Sequence, residues 1–303
     1  MTRIGVIGEA LVDIVHRPDG TVHTAPGGSP ANVALTLGRL GFDVRLVTSL
    51  GHDEAGEAVR AWLGASHVTV SATPVRRTSR AVAHLDGAGA AAYEFDLAWE
   101  LNPVATAELD LLHVGSVAAL MEPGAQEVIA AVRAARPHAL ITYDPNMRPA
   151  LLLDAALHRR RVEEIVELSD VVKASDEDLI WLYPGVDPLV SAAEWRRRGP
   201  ALVVVTRGSA GADALTADHS LHAVAPAVVV ADTVGAGDTF MGTLIAGLVA
   251  AGEGALSREG LREVSSATVQ AVLDASARAA ASTVSRPGAD PPWGDGVVLR
   301  LPR

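Results

Sequence analysis

The chain alternates short apolar runs with stretches of helical period. Ile4–Ile7, Val44–Thr48, Leu111–Val114, Leu140–Tyr143, Val171–Lys173 and Ala201–Thr206 are rich in Val, Leu and Ile. Runs of this kind predict buried strands. Helices are predicted at Ala31–Leu40, Glu54–Leu63, Ala125–Arg136, near Leu157–Leu168 and at Glu177–Leu182, and the alanine-rich stretch from Asp238 to Thr283 reads as mainly helical. Strand followed by helix, repeated, predicts an α/β fold: a doubly wound, mostly parallel sheet flanked by helices. The first helix carries its own start and stop signals. Ser29 is a candidate N-cap, Pro30 occupies the first helical position, where its missing N–H costs nothing, and Gly41 closes the helix.

Two stretches depart from the alternation. Leu11–His16 and Thr21–Thr24 flank the turn Pro18-Asp19-Gly20 and predict a pair of short strands. From Val68 to about Trp99 the chain is rich in Val, Thr and Ala, turns at Asp86-Gly87-Ala88-Gly89 and has no helical period. Together these segments, about 11–25 and 68–99, predict a small β-sheet subdomain inserted into a single α/β domain over 1–303. No internal repeat, low-complexity tract or interdomain linker interrupts that domain.

Composition narrows the function. The net charge of −11 weighs against wholesale binding to nucleic acid or an anionic membrane, though a local phosphate pocket remains compatible with it. With no cysteine, disulfides, thiolate metal sites and cysteine nucleophiles are excluded. No stretch reaches the ~20 apolar residues of a membrane span, and Arg3–Gly8 reads as a strand, without the succession of a signal peptide, so a cytoplasmic protein is expected. Lys173 is the only lysine. A Gly-Lys-Ser/Thr loop is therefore absent, which excludes the P-loop NTPases.

Asp232-Thr233-Val234-Gly235-Ala236-Gly237-Asp238-Thr239-Phe240 is the most informative stretch. Two glycines flank a small residue just before a helical pattern, a turn that points successive N–H groups outward at a helix N-terminus and binds anions. An aspartate in a first helical turn is also simply favoured there. Beside a bound phosphoryl group, however, Asp238 would take the proton of an attacking hydroxyl while the amides of Ala236, Gly237 and Asp238 hold the transferring charge.

This run resembles the C-terminal signature of the PfkB, or ribokinase-like, carbohydrate kinases, and Gly27-Gly28-Ser29-Pro30-Ala31-Asn32-Val33-Ala34 resembles their N-terminal signature. Gly8-Glu9 with Asp13, Gly51-His52-Asp53-Glu54-Ala55-Gly56, Asp144-Pro145-Asn146-Met147-Arg148, Thr206-Arg207-Gly208-Ser209-Ala210-Gly211 and Arg286-Pro287-Gly288-Ala289 extend the likeness over nearly the whole chain. The Asp-Pro-Asn-x-Arg and Arg-Pro-Gly-Ala elements look most like the fructokinase branch, and 2-keto-3-deoxygluconate kinases share much of the pattern. The resemblance implies ATP-dependent phosphorylation of a sugar hydroxyl with magnesium, and a lid where the inserted β segments lie. By position it implies Asp238 as catalytic base and Gly235, Ala236 and Gly237 as anion hole. It likewise implies Asp13, Gly27, Gly28 and Asn32 as sugar-contacting positions. A homodimer through the lid and a potassium site near Asp232 and Ser282–Gly288 are further expectations.

Thr206, Gly208 and Gly211 follow a strand, where ligands gather in open α/β sheets, and suit nucleotide binding. Arg148, also past a strand end, suits a bidentate phosphate contact. The family commonly has Asn-x-x-Glu, linked to magnesium and phosphate, after a strand; here Ser175-Asp176-Glu177-Asp178 stands in its place, with Asp178 one methylene shorter. A second reading of these four residues is a Ser175-capped helix with an acidic first turn. The histidines form no ligand cluster in sequence. Fructose is the expected acceptor, with 2-keto-3-deoxygluconate or another sugar or nucleoside as the alternative. A catalytically silent sugar sensor is disfavoured by the intact Asp238 turn. A nicotinamide oxidoreductase is disfavoured because no Gly-x-Gly-x-x-Gly follows Ile4–Ile7.

Overall fold

The computed structural model describes residues 2–85, 91–152, 154–252 and 257–297. The predicted apolar runs become β1 (Arg3–Ile7), β4 (Asp43–Leu50), β8 (Leu111–Gly115), β9 (Leu140–Asp144), β10 (Val171–Ser175) and β11 (Leu202–Thr206). With β5 (Val68–Pro74), β12 (Ala212–Leu215) and β13 (Ser220–Ala223) they form one sheet in the order β13-β12-β11-β10-β9-β8-β1-β4-β5, nine strands among the described residues. All neighbours from β5 to β11 run parallel, and β11, β12 and β13 finish one edge antiparallel. The edge hairpin escaped the sequence pattern because its strands have only four residues each.

The central strands are mostly apolar because both faces are covered, with His113, Thr142 and Lys173 as buried polar exceptions. In β11, Leu202 and Val204 face one core while Val203 and Val205 face the other. The first core takes α1 (Ser29–Arg39), α2 (Glu54–Gly64), α7 (Ala236–Ala250), α8 (Arg258–Glu263) and α9 (Ser266–Val284). The second takes α3 (Gly124–Ala135), α4 (Ala155–Leu168), α5 (Asp176–Leu182) and α6 (Pro188–Arg198). This is the doubly wound arrangement that the strand–helix alternation predicts.

A separate small sheet has the order β3-β2-β6-β7, built from β2 (Leu11–His16), β3 (Val22–Gly27), β6 (Ser79–Leu85) and β7 (Ala91–Asp96). Its boundaries correct the expectation of 68–99. Val68–Pro74 pairs in parallel with β4, from Val44↔Val68 to Leu50↔Pro74, and closes the large sheet after the α2 crossover. A helix between two strands favours a parallel pair in one sheet, which placed this segment outside the lid. The turn expected at 86–89 lies outside the described residues.

The start of α1 also differs from the expected cap. Gly28, at φ 106°, is the N-cap, and no side chain caps the helix. A β-carbon at Gly28 would lie 2.6 Å from the Glu9 carbonyl oxygen, so the position demands glycine on both conformation and space. Ser29 is the first helical residue, and its hydroxyl is directed elsewhere.

Candidate active site

The carboxyl ends of the parallel strands share one edge of the sheet. Gly8, Ser116, Asp144, Ser175 and Thr206 follow or end β1, β8, β9, β10 and β11 there, and Ser175 is in register with Thr206. The N-termini of α1 and α7 meet above this edge, so residues distant in sequence converge.

Asp238 is the centre of the convergence. It is buried in the first turn of α7. Its Oδ1 accepts from Ser29 Oγ at 2.7 Å and from Asn146 Nδ2 at 3.2 Å, and its Oδ2 accepts from Asn32 Nδ2 at 2.8 Å. Two elements and a loop, α1, α7 and the turn after β9, thus share one carboxylate. Asn146 reaches it from a left-handed backbone, φ 37°, which asparagine tolerates better than other side-chain-bearing residues. Asn32 Oδ1, also buried, has no hydrogen-bond partner. A buried acceptor without a donor is costly, and a sugar hydroxyl would satisfy it.

The turn before α7 has the form expected of an anion site. Gly235 is left-handed at φ 75°, and a β-carbon there would lie 2.6 Å from that of Ala289. The Ala236 N–H is aimed at the Thr233 carbonyl at 3.4 Å, whereas among the described residues Gly237 and Asp238 have no backbone acceptor for theirs. Those two amides and the helix dipole are the available anion donors.

Asp13, on β2, closes the site from the small sheet. Burial pushes its carboxyl up to about 6, with Arg148 opposing the rise and Asp238 adding to it. A side chain on Gly27 would run into Asp13 Oδ2, so the glycine lets the carboxylate lie against the backbone. Glu9, in the turn between β1 and β2, is also buried. Burial raises its carboxyl to about 7, while Ser116, Arg148 and the Ala118 N–H at 3.3 Å favour the charged form. Arg148 itself is exposed and its guanidinium folds back onto Asn146 Oδ1.

The nucleotide candidates occupy the neighbouring strand ends. Gly208 and Gly211 have φ 50° and 91°, and a side chain on Gly211 would strike the Ala223 carbonyl. Thr206 is half-buried beside them. Ser175 caps α5 by accepting from the Asp178 N–H at 3.0 Å, and Asp178 Oδ2 accepts from the Ser175 N–H at 2.8 Å, a capping box. Asp178 Oδ1 accepts from the Met147 N–H at 2.7 Å. Both oxygens of this buried carboxylate therefore hold backbone N–H groups, so the shorter aspartate fixes the turn, and each oxygen keeps one lone pair for the water-mediated magnesium contact expected of it. Asp232 is engaged in the same way: Oδ1 accepts from Val234 N–H at 3.0 Å and Oδ2 from Gly288 N–H at 2.9 Å, tying the glycine turn to the segment after α9.

The sequence pattern assigned no part in the site to the Ser29 hydroxyl, Asn146, Glu9, Asp144 or Lys173. Glu9, Asn146 and Asp144 are visible there only as members of motifs, and Lys173 only as the single lysine. His113 is buried within β8, where burial lowers it to about 3 and its Nδ1 faces Thr142 Oγ1 at 3.0 Å. Among the described residues no group of three or more His, Asp or Glu could hold a metal ion.

Residues 1–294 match the pfkB family carbohydrate kinases. The chain belongs to that family. Fructokinase of Klebsiella pneumoniae is 36% identical over 265 residues, 82% of this chain and 85% of the relative. Fructokinase of Rhizobium leguminosarum bv. trifolii is 34% identical over 80% of this chain and 78% of the relative. Among solved structures, fructokinase from Xylella fastidiosa with bound ATP superposes with TM-score 0.85 at 23% identity, covering 97% of this chain and 94% of that one. A double mutant of Vibrio cholerae fructokinase with fructose, ADP and potassium ion bound gives TM-score 0.79 at 26% identity over 95% and 94%. The pfkB kinase described here thus combines the family's fold with an aspartate buried at the glycine turn, and no described helix is long and apolar enough to cross a membrane.

Proposed function

We propose that this pfkB kinase is an ATP-dependent fructokinase, moving the γ-phosphoryl group of MgATP to a hydroxyl of fructose to give fructose 6-phosphate. The observation that carries the chemistry is Asp238, held by Ser29, Asn32 and Asn146 at the N-terminus of α7. The attacking hydroxyl gives its proton to Asp238 as its oxygen bonds to phosphorus and the bond to ADP breaks. The Gly237 and Asp238 amides stabilise the transferring charge. Asp13 and the unpartnered Asn32 Oδ1 orient sugar hydroxyls, and Gly27 and Gly28 permit close approach of the backbone. Thr206, Gly208, Gly211 and Ser175 line the nucleotide side.

The fructose assignment draws on the fructokinases at 34% and 36% identity and on the fructose-bound relative at 26%. A 2-keto-3-deoxygluconate kinase is less well supported. Its acceptor carries a carboxylate, and Arg148, whose charge acts on both Asp13 and Glu9, is already engaged with Asn146. Magnesium fits as a partner of the nucleotide: the described residues offer no cluster of carboxylates, as expected where phosphates supply most ligands. It would supply charge neutralisation on the transferring phosphates. Potassium near Asp232, a homodimer through the lid and a cytoplasmic location complete the reading. A coupled ADP-release screen over ketoses, aldoses, sugar acids and nucleosides tests it. Fructose should give the highest kcat/KM; preferred turnover of a sugar acid or nucleoside would overturn the assignment.

A further inference from the structure

Of the 25 Lys and Arg residues in the chain, one is lysine. Arginine fills every other Lys or Arg position, so Lys173 is the one compact ammonium on a side chain among them, and the two head groups are not interchangeable. Lys173 lies in β10 with only 3% of its side chain exposed, and its Nζ donates to Asp144 Oδ2 at 2.9 Å, that partner being 1% exposed. A β-carbon on Gly237 would lie 3.1 Å from Nζ, so the ammonium sits directly against the glycine turn at the start of α7.

Buried ion pairs are weak stabilisers compared with apolar residues of the same volume, so stability alone does not account for this one. Its connections are more informative. Asp144 ends β9, and its carbonyl accepts from the Ser116 N–H at 2.9 Å. Two residues on, Asn146 donates to Asp238 and to Ser29. On the other side, β10 runs from Lys173 to its end at Ser175, and α5 then carries Asp178, whose carboxylate holds the Met147 N–H. The loops after β9 and β10 are thus joined twice, and the product of that joining is the placement of Asn146 against Asp238. Asp144 Oδ1 is buried with no hydrogen-bond partner, so Lys173 is the one group bonded to that carboxylate among the described residues.

We propose that Lys173 is a positioning residue for phosphoryl transfer: through Asp144 it fixes the loop that aims Asn146 at Asp238, and its ammonium lends positive charge beside the turn that takes the transferring phosphoryl group. This rests on the kinase reading above. Lys173 is buried and paired with Asp144, and its influence reaches the reaction through Asp144, Asn146 and the field at Gly237.

The test compares Lys173→Met, Asp144→Asn, their double variant and Lys173→Arg with the parent. Readouts are kcat, the KM for fructose and for ATP, and Tm. Lys173→Met should lower kcat by about 10²-fold, the scale of losing one preorganised electrostatic contact, with fructose KM changed only a few-fold. It should also melt lower, because Asp144 is left buried and alone. The double variant has no lone buried charge and should recover Tm while remaining at least about 10-fold slow. A double variant that recovers both Tm and kcat would show a purely structural pair and overturn the proposal. Should the double variant fail to fold, Lys173→Arg decides the matter instead: reduced kcat at little-changed fructose KM is expected, and parent-like kcat overturns the proposal. A parent that phosphorylates no sugar would defeat the kinase reading, so the two failures are distinct.

Discussion

Replacing Asp238 by asparagine removes one charge and turns one of two acceptor oxygens into a donor. The remaining oxygen fits best at the Oδ1 position, where Ser29 and Asn146 both donate. The new amide NH2 then faces Asn32 Nδ2, donor against donor. Asn32 can relieve this by rotating its own amide, which removes no protein hydrogen bond from Oδ1 but gives up the acceptor offered to the sugar, so the fructose KM should rise as well. The structural cost is therefore the difference between charge-assisted and neutral hydrogen bonds, about 1–2 kcal/mol. The effect on the reaction is larger. Loss of a general base is worth about 10²–10⁴-fold, roughly 3–5 kcal/mol of barrier. A coupled ADP-release assay with saturating fructose and MgATP should show kcat down at least about 10²-fold, with ATP binding by calorimetry retained. A variant that turns over within a few-fold of the parent while melting lower would make Asp238 a helix-turn residue and refute the mechanism.

Asp13→Ala should raise the fructose KM about 10–150-fold, from the loss of a charged acceptor worth about 1.5–3 kcal/mol, and leave ATP binding without sugar unchanged; an unaltered KM would remove Asp13 from the sugar site. Glu9 is raised from 4.5 to about 7 by burial. Between those values the folded state binds more protons than the unfolded one, so stability falls as pH rises through the window. Glu9→Gln should flatten that dependence and raise stability at pH 8 by about 2–4 kcal/mol, read from urea unfolding at pH 5 and pH 8; an unchanged pH slope counts against a buried, uncharged Glu9. Potassium should stimulate turnover through the segment tied to Asp232, and equal rates in sodium, potassium and a bulky organic cation would exclude it. Strand β3 leaves Val22 54% exposed at the edge of the small sheet, and a homodimer through that sheet should appear by light scattering at micromolar concentration, where a monomeric mass would refute it.

The sequence by itself determined the parallel sheet, because strands buried on both faces read as nearly continuous apolar runs. The run Leu202, Val203, Val204 and Val205 shows the reason, its members facing alternate cores. It also determined the glycine turn and the position of Asp238 after it, since left-handed backbone at Gly235 and Gly28 is legible as glycine. Tertiary structure decided the rest. Whether Val68–Pro74 joined the lid or the large sheet depended on which edge was open to it, and no local pattern records that. Ser29 carried the signal of a helix cap, yet its hydroxyl serves a carboxylate 209 positions away. Asp178 reads in sequence either as part of a magnesium-linked motif or as a helix-turn acid, and that both its oxygens hold backbone is visible only in the fold. Lys173 stood out only by its rarity. Local propensity acts over a few residues, whereas the partners of a buried polar group are chosen by the packing of the whole chain. The roles of Ser29, Asn146, Asp144 and Lys173 could therefore be read only once β9, β10, α1 and α7 had been brought together.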